Sequence, residues 1–469
     1  MSISASSAPS PLSPRPRIAV VGAGPAGLTA AYVLAKAGAQ VEVHEGSRVV
    51  GGLSRTLDLW NQRVDLGPHR FHTQDARIDS LWKSVVGEDW ATVESHPGVF
   101  RNDGKVLRYP LQVVDVVRKV GLTESIRCVL DYGRQQLRPL PEVRTFEDWL
   151  VQHFGRRVYE QFFRDFNEKF FGRPCSAVDA SVSGAAAKDA SLVDTVLAAL
   201  RTGASNARAR AVKQVTEQFP YPQRGTGEVY ERMAQFVRDH GGEVFLESRV
   251  EALEVEGRRV TGLKSSHGSR AYDYIISSAP LVPLVAQLPG QPPEVQRALT
   301  EARDVLTFRS ALLVYLEVHE TGLFPESWLE MHTRAVRTCR VTNFRNWVPG
   351  LYGAERSTIL CAEYWCSQDE ALWSESDEAM AALAWKELES VGLLGPAPVG
   401  RFHVVRLPRC YPVYQPGFQR VLQPLQEHLD NFERLSSIGR GGRFSYNSQD
   451  ANWRMGLEAA DGARAALGF

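Results

Sequence analysis

The chain has 469 residues, with 54 basic and 54 acidic side chains, so its formal net charge is zero and it carries no nucleic-acid footprint. Hydrophobic residues make up 43% and charged residues 23%, which is ordinary for a folded chain, and the length is about three domains' worth, or two of which one is interrupted. The cysteines at 128, 175, 339, 361, 366 and 410 form no CxxC pair and no His-rich cluster, so neither a metal site nor a disulfide framework is expected, and reduced thiols suit a cytoplasmic setting.

Residues 1–16 are rich in Ser and Pro without an apolar run and read as a disordered leader, not a signal peptide. The next stretch opens RIAVVGAGPAGLTAAYVLAKAGAQVEVHE. Ile18 to Val21 suits a strand buried on both faces, followed by a sharp turn into a helix whose first N–H groups face a phosphate. Gly22 permits the turn, Gly24 lets a pyrophosphate approach the main chain, and Gly27 lets the helix lie close to the strand. Val41 to His44 is the next strand, and Glu45 follows the glycines by about 20 residues, where an acid accepts hydrogen bonds from a ribose hydroxyl. A lone GxGxxG is weak evidence. Here strand, turn, helix, strand and acid agree on an adenosine diphosphate.

Val64 to Phe71, VDLGPHRF, must turn at Gly67-Pro68, and His69 taken alone reads as a surface or capping histidine. Phe100 to Leu111 reads as a hairpin turning at Asn102-Asp103-Gly104. Residues 112–215 are helical in pattern. Phe146 to Phe171 spaces aromatics at three and four, which makes a core face or a pocket wall, and Gly172-Arg173-Pro174 ends it. Lys188, in the apolar Ser181 to Leu200 stretch, is a solvated lysine unless that helix lines a cleft. No run is long enough to span a membrane, while Tyr109 to Val117 and Val193 to Leu200 suit a core or a peripheral membrane contact. Phe219 to Val237 is a Gly-punctuated turn before an amphipathic helix. Gly242 to Val255 holds two short strands, the second starting near Val250, and Tyr272 to Ala279 another. Ala311 to Val318, Val336 to Thr342 and Ser357 to Trp365 form a second sheet, and Glu378 to Val391 a helix. The end gives a strand at Phe402 to Leu407, the turn-rich RCYPVYQPGF, a helix near 421–430, a strand at Leu435 to Ile438, a glycine turn at Gly439 to Gly442, and a helix from Arg454 to Leu467, rich in small residues, whose positive N-terminus suits an anionic group.

Gly51-Gly52 with Ser54 and Arg55 resembles the second glycine motif of two-dinucleotide-fold flavoproteins, in which loop and Arg hold the FAD pyrophosphate. Over 17–73 and 430–467 the chain resembles the superfamily of monoamine oxidases, protoporphyrinogen oxidases, phytoene desaturases and UDP-galactopyranose mutases. The resemblance implies an α/β fold in which a Rossmann-like FAD domain of the two-dinucleotide-binding type is split in sequence, with a mixed-sheet substrate domain and an inserted helical domain. The expected segments are 17–111, 216–285 and 426–469 for FAD, 112–215 for the helical insertion and 286–425 for substrate. It implies a cofactor shell of Gly22, Gly24, Ala26, Gly27, Glu45, Gly51, Gly52, Ser54, Arg55, Gly67, Pro68, His69, Val250, Gly439, Arg440, Trp453 and Met455. FAD is expected to be non-covalent, since no C-terminal cysteine matches the attachment site of monoamine oxidases.

Several motifs resemble the mutases more than the amine oxidases. GPHRFHT resembles the segment whose His, here His69, lies beside the flavin. RVTNF resembles a strand whose Arg, here Arg340, binds a sugar diphosphate. YPVY resembles a turn whose Tyr, here Tyr411, touches the same group, and Arg440 and Tyr446 keep the spacing of a further diphosphate-gripping pair. Those five are the expected catalytic residues, and Arg with Tyr is chemically apt for a phosphate ester. The chain departs from the mutases in having Ser448-Gln449-Asp450-Ala451 where they read NQDH, two residues closer to Tyr446. It has Arg224 for Gly, Lys188 in place of a helical-domain Arg, and no recognisable uridine segment. The resemblance therefore implies an FAD-dependent oxidoreductase passing a hydride from a small anionic or nucleotide-linked substrate to flavin N5. The alternative is a flavin-dependent nucleotide-sugar mutase, and the third reading is a flavin-binding protein with a structural role.

Overall fold

The computed structural model describes residues 15–108, 113–183, 218–396 and 399–469. Three distant segments build one parallel sheet of five strands, in the spatial order Leu435–Ser437, Tyr274–Ser277, Arg17–Val21, Gln40–His44 and Glu243–Phe245. Ile18, Ala19 and Val20 are fully buried, as a strand with both faces covered requires.

The helix Pro25–Lys36 lies between two others, Gly227–Asp239 and the C-terminal Gln449–Leu467. Small residues set the spacing. A Cβ on Gly456 would lie 2.4 Å from the carbonyl oxygen of Ala26 and 2.9 Å from Cβ of Thr29, and one on Gly27 would lie 2.0 Å from the carbonyl oxygen of Gly22.

A second, mixed sheet has seven strands in the order Phe402–Pro412, Phe308–Val318, Thr358–Cys366, Arg340–Asn343, Trp328–His332, Pro97–Arg101 and Val106–Arg108. All neighbours run antiparallel except Trp328–His332 with Pro97–Arg101. One face is covered by the helix Asp377–Ser390, whose Met380, Ala381, Ala384 and Leu388 have no exposed surface. The other face meets Val64, Leu66, Phe219 and Tyr221.

Asp65 fastens that junction. Its buried carboxylate accepts from Thr56 Oγ1 at 2.6 Å, Tyr221 Oη at 2.7 Å and the Thr226 N–H at 3.1 Å, while its carbonyl accepts from Tyr315 Oη at 2.8 Å. Burial pushes the carboxyl up to about 6 against the pull of those donors.

The described helical segment contains Val113–Val120, Leu122–Leu137, Phe146–Phe154 and, beyond Gly155, a π turn at Tyr159–Phe163 that runs into Arg164–Phe171. Thr145 and Asp148 form a capping box at the start of Phe146–Phe154, and Gly172 at φ +67° ends the run.

Four sequence expectations change. The Phe100 to Leu111 hairpin was assigned to the first FAD segment, but it pairs into the seven-stranded sheet, because Pro97–Arg101 aligns with Trp328–His332. The Phe146 to Phe171 pattern is broken at Gly155, whose φ of +83° no helix interior adopts. The RCYPVYQPGF stretch begins as strand, since Phe402–Pro412 continues through Cys410 and Tyr411 after a bulge opposite Arg309 to Ala311. Gly439–Arg443 is one short helical turn. Lys188 and Val193 to Leu200 lie outside the described residues.

Gly456→Val is expected to force the C-terminal helix away from Pro25–Lys36. It should cost about 1–3 kcal/mol, read as a lower melting temperature; an unchanged melt would show that the close approach is not needed.

Candidate functional site

The N-terminus of Pro25–Lys36 is the centre of the nucleotide half. Its N-cap is Gly24 and Pro25 occupies the first turn without a side-chain cap, so the next N–H groups remain available to an anion. Around it, Gly22 has φ +96° and sits against Ser278 Oγ, Gly52 faces the Cα of Gly24, and Gly439 lies within van der Waals reach of Ala26 and Ser278. The Gly51 N–H donates to the Ala23 carbonyl at 2.8 Å, which ties the second glycine pair to the first turn.

Glu45 accepts from the Ala23 N–H at 2.7 Å through Oε2 and from the Ser47 N–H at 2.8 Å through Oε1. A carboxylate has about four acceptor sites, so lone pairs remain for ribose hydroxyls. The Ser248 N–H donates to the Glu45 carbonyl at 2.8 Å and brings the strand that begins at Val250 alongside. Arg55 Nε is buried and has no hydrogen-bond partner among the described residues, which fits an arginine reserved for a phosphate.

One expected cofactor residue is corrected. Trp453 has no exposed surface; its indole N–H donates to Tyr230 Oη at 3.1 Å and its ring meets Phe71 at 5.5 Å, so it belongs to the core of the nucleotide domain. Ser54 is also buried. Met455 is half-buried and accepts a contact from Asn447 Nδ2 at 3.2 Å. The C-terminal helix starts at Gln449, five residues before the expected Arg454, and its first turn carries Asp450.

The loop at Gly67, Pro68 and His69 follows the strand Gln62–Asp65 and lies against the seven-stranded sheet. Gly67 has φ +92°, and a Cβ there would lie 3.2 Å from Glu363 Oε1, a buried carboxylate on Thr358–Cys366. His69 follows with its Nδ1 buried and without a hydrogen-bond partner. Burial lowers its pKa to about 4; Arg440 adds to this, the Gly67 carbonyl opposes it, and Arg340 adds a little more. The imidazole is neutral at ordinary pH.

Arg340, Tyr411, Arg440 and Tyr446 come together as expected in space. The Arg440 guanidinium stands 5.2 Å from the ring centres of both Tyr411 and Tyr446, which stack on each other at 5.7 Å. The Arg340 guanidinium stands 5.2 Å over Trp365, and Trp365 meets Tyr411 edge-on at 6.1 Å. Arg440 also donates to the carbonyls of Cys410 at 2.8 Å and Asn447 at 2.6 Å, so part of its fork holds the main chain. Arg340 is 3.6 Å from Glu363. Burial works against the Arg340 charge, but Glu363, Tyr411 and Glu330 outweigh it and raise its pKa. Burial likewise raises Glu363, with Arg340 pulling it back.

Three side chains of this site were not singled out from sequence. Phe170 touches Trp365 at 4.8 Å, Tyr411 at 5.1 Å and Tyr446 at 6.1 Å, so this ring of the aromatic helix is a site wall. Trp365 and Glu363 point the same way from one strand, as residues two apart must. The only local signal was a charge within a strand of apolar residues.

Comparison with known proteins gives a family and a likeness of fold. A family model described as Flavin containing amine oxidoreductase matches residues 25–435. A zeta-carotene desaturase of Zea mays is 26% identical over 171 residues, 31% of this chain and 30% of that one. An L-amino-acid oxidase of Sistrurus catenatus edwardsii is 43% identical over 137 residues, 24% of this chain and 25% of that one. The chain thus aligns with less than a third of the length of these relatives. Among solved structures, a reduced UDP-galactopyranose mutase superimposes with a TM-score of 0.79 at 21% identity, covering 96% of this chain and 94% of that one, a likeness of fold.

The pH dependence of His69 follows from its position. An unfolded histidine titrates near 6.5 and the folded one near 4, so between these values the unfolded chain binds the extra proton and stability falls as pH drops; above 6.5 the contribution is level. Urea midpoints at about pH 7 and about pH 4.5 should show a smaller acid loss in His69→Gln than in the wild type. Identical pH dependence in both would place the titration elsewhere.

Proposed function

Because the chain belongs to the flavin containing amine oxidoreductase family, we propose that it is an FAD-dependent oxidoreductase acting on a small anionic substrate. The observation that carries the reading is the pairing of two guanidiniums, Arg340 and Arg440, with a neutral histidine and four aromatic rings beside the loop that leaves the nucleotide motif. FAD, when bound, supplies an acceptor for the hydride that leaves the substrate. The residues of this chain that would hold it are the first turn of Pro25–Lys36, Glu45, Arg55 and the Gly439 turn. Residues 411–469 contain no cysteine that could attach the flavin as in monoamine oxidases, so the binding is read as non-covalent.

The roles of the remaining residues follow from charge and shape. Arg340 keeps its charge against burial and presents a planar fork that suits a carboxylate or phosphate. Glu363 offsets that charge from beneath and orients it. Phe170, Trp365, Tyr411 and Tyr446 exclude water, which strengthens both attractions. His69 hydrogen-bonds without adding charge. The free cysteines suit a cytoplasmic enzyme.

A second reading is favoured by one detail: two tyrosines and two arginines share one cleft, the composition of a diphosphate grip. On that reading the substrate is a nucleotide-linked sugar and the reaction a ring-size interconversion.

The two readings separate in one experiment. Flavin absorbance under anaerobic conditions, followed over a panel of amines, amino acids, porphyrinogens and polyenes, should bleach with one class on the first reading. Dithionite-reduced enzyme given UDP- and TDP-sugars should release no furanose product; such a product would replace the oxidoreductase by the mutase. For the reacting substrate, Arg340→Lys should raise KM about tenfold or more with the flavin still bound, since an ammonium loses the bidentate contact. An unchanged KM would remove Arg340 from the substrate site.

A further inference from the structure

The helix Leu122–Leu137 is inverted. Its protein-facing side carries Glu124, Ser125, Cys128, Asp131, Tyr132 and Gln135, all partly covered, and no residue on it is buried. Its outward side carries Leu122, Ile126, Val129, Leu130 and Leu137, exposed by 65%, 50%, 53%, 58% and 84%. Seven large apolar side chains are exposed among the described residues, and six of them fall between Leu122 and Val143, so this is a concentrated patch and not ordinary scatter. The stripe recurs at helical spacing along about 24 Å of helix.

Charge selects what covers it. Arg127, Arg134 and Arg138 are exposed and follow one another along a single flank of the apolar stripe. The acids of this helix turn inward: Glu124 accepts from Arg157 Nε at 2.7 Å and Gln161 Nε2 at 2.6 Å, and Asp131 accepts from the Arg157 N–H at 2.9 Å. Arg127 has only a long 3.4 Å contact to Glu124 at the rim, and Arg118, on the preceding helix, is exposed as well. A second copy of the chain laid antiparallel would set this arginine flank against itself, so antiparallel self-pairing is opposed. A partner that is apolar within and anionic at its edge satisfies both features at once.

We propose that the Leu122–Leu137 face docks the protein onto an anionic phospholipid bilayer, lying in the interface with its apolar stripe among the upper acyl chains and its arginines at the phosphates. An interfacial helix has this division of faces, and each basic residue at an anionic surface adds to the attraction. The inference is independent of the substrate reading.

The test is cosedimentation of the full FAD-loaded chain with vesicles of phosphatidylcholine containing about 30% phosphatidylglycerol, beside vesicles of phosphatidylcholine alone. Wild type should pellet with the anionic vesicles and far less with the neutral ones. Arg127→Glu with Arg134→Glu should weaken partitioning about 25-fold or more, from about fivefold per lost arginine. Ile126→Glu with Leu130→Glu should weaken it by more than about tenfold with an unchanged melting temperature, because an exposed face has nothing to lose on folding.

Three results would overturn the proposal. One is wild type that ignores anionic vesicles, or variants that bind as it does. Another is a melting temperature that drops in Ile126→Glu with Leu130→Glu, which would mean that the chain itself covers the face. The third is a dimer in analytical ultracentrifugation that the same double variant makes monomeric, which would make a second copy the occupant.

Discussion

The close approach of three chain segments at the start of one helix governs this molecule. Gly22, Gly52, Gly439 and Gly456 crowd the first two turns of Pro25–Lys36: an added Cβ at Gly22 would strike Ser278 Oγ, one at Gly52 would press on Gly24 and one at Gly456 would strike the Ala26 carbonyl, while Gly439 holds a φ of +79° that other residues rarely adopt. The helix terminus there has no side-chain cap, so its N–H groups and the glycine turns present backbone to a phosphate. The same crowding fixes the five-stranded sheet, because the strand on either side of Arg17–Val21 brings one of the glycine or serine contacts with it.

The second half of the site depends on a carboxylate. Glu363 is buried under the Gly67 loop and has a guanidinium as its close partner, at a separation too long for a hydrogen bond. Such a pair is expensive to bury and gives little net stability, so its value lies in orientation. It keeps Arg340 over the Trp365 ring, and by contact with Gly67 it registers the seven-stranded sheet against the loop carrying His69. Asp65 performs the equivalent task one step earlier, with three donors and a raised pKa. The Gly67 loop and the seven-stranded sheet are thereby held by two buried acids instead of by apolar packing alone.

Much of the nucleotide half was legible in the sequence because its determinants are local. Gly22, Gly24 and Gly27 dictate conformation where they stand, and Glu45 follows at a distance set by one helix and one strand. The three-segment sheet was also readable, since buried strands recur at Tyr272 to Ala279 and Leu435 to Ile438. What escaped was everything set by pairing between distant strands. No local pattern tells Pro97–Arg101 to join Trp328–His332, or Tyr411 to sit on a strand opposite Arg309. Trp453 misled because an aromatic near a cofactor helix has the same sequence appearance whether it faces inward or outward, and here Tyr230 offers its indole a partner inside. Phe170 could only be assigned to core or wall, and the π turn at Tyr159–Phe163, one residue wider per turn than the pattern assumes, contributes to which face it takes.

The three-segment sheet also has a consequence for biosynthesis. Its Leu435–Ser437 edge and the Gly439 turn are made more than 400 residues after Arg17–Val21. Until then Tyr274–Ser277 has an unpaired edge and Ala26, Ala30 and Thr29 lack the helix that covers them. The nascent chain must therefore carry an incomplete cradle until that turn has emerged, and firm cofactor loading waits for it. A chain cut just before Leu435 would lose not an appendage but one wall of the cradle that Arg17–Lys36 began.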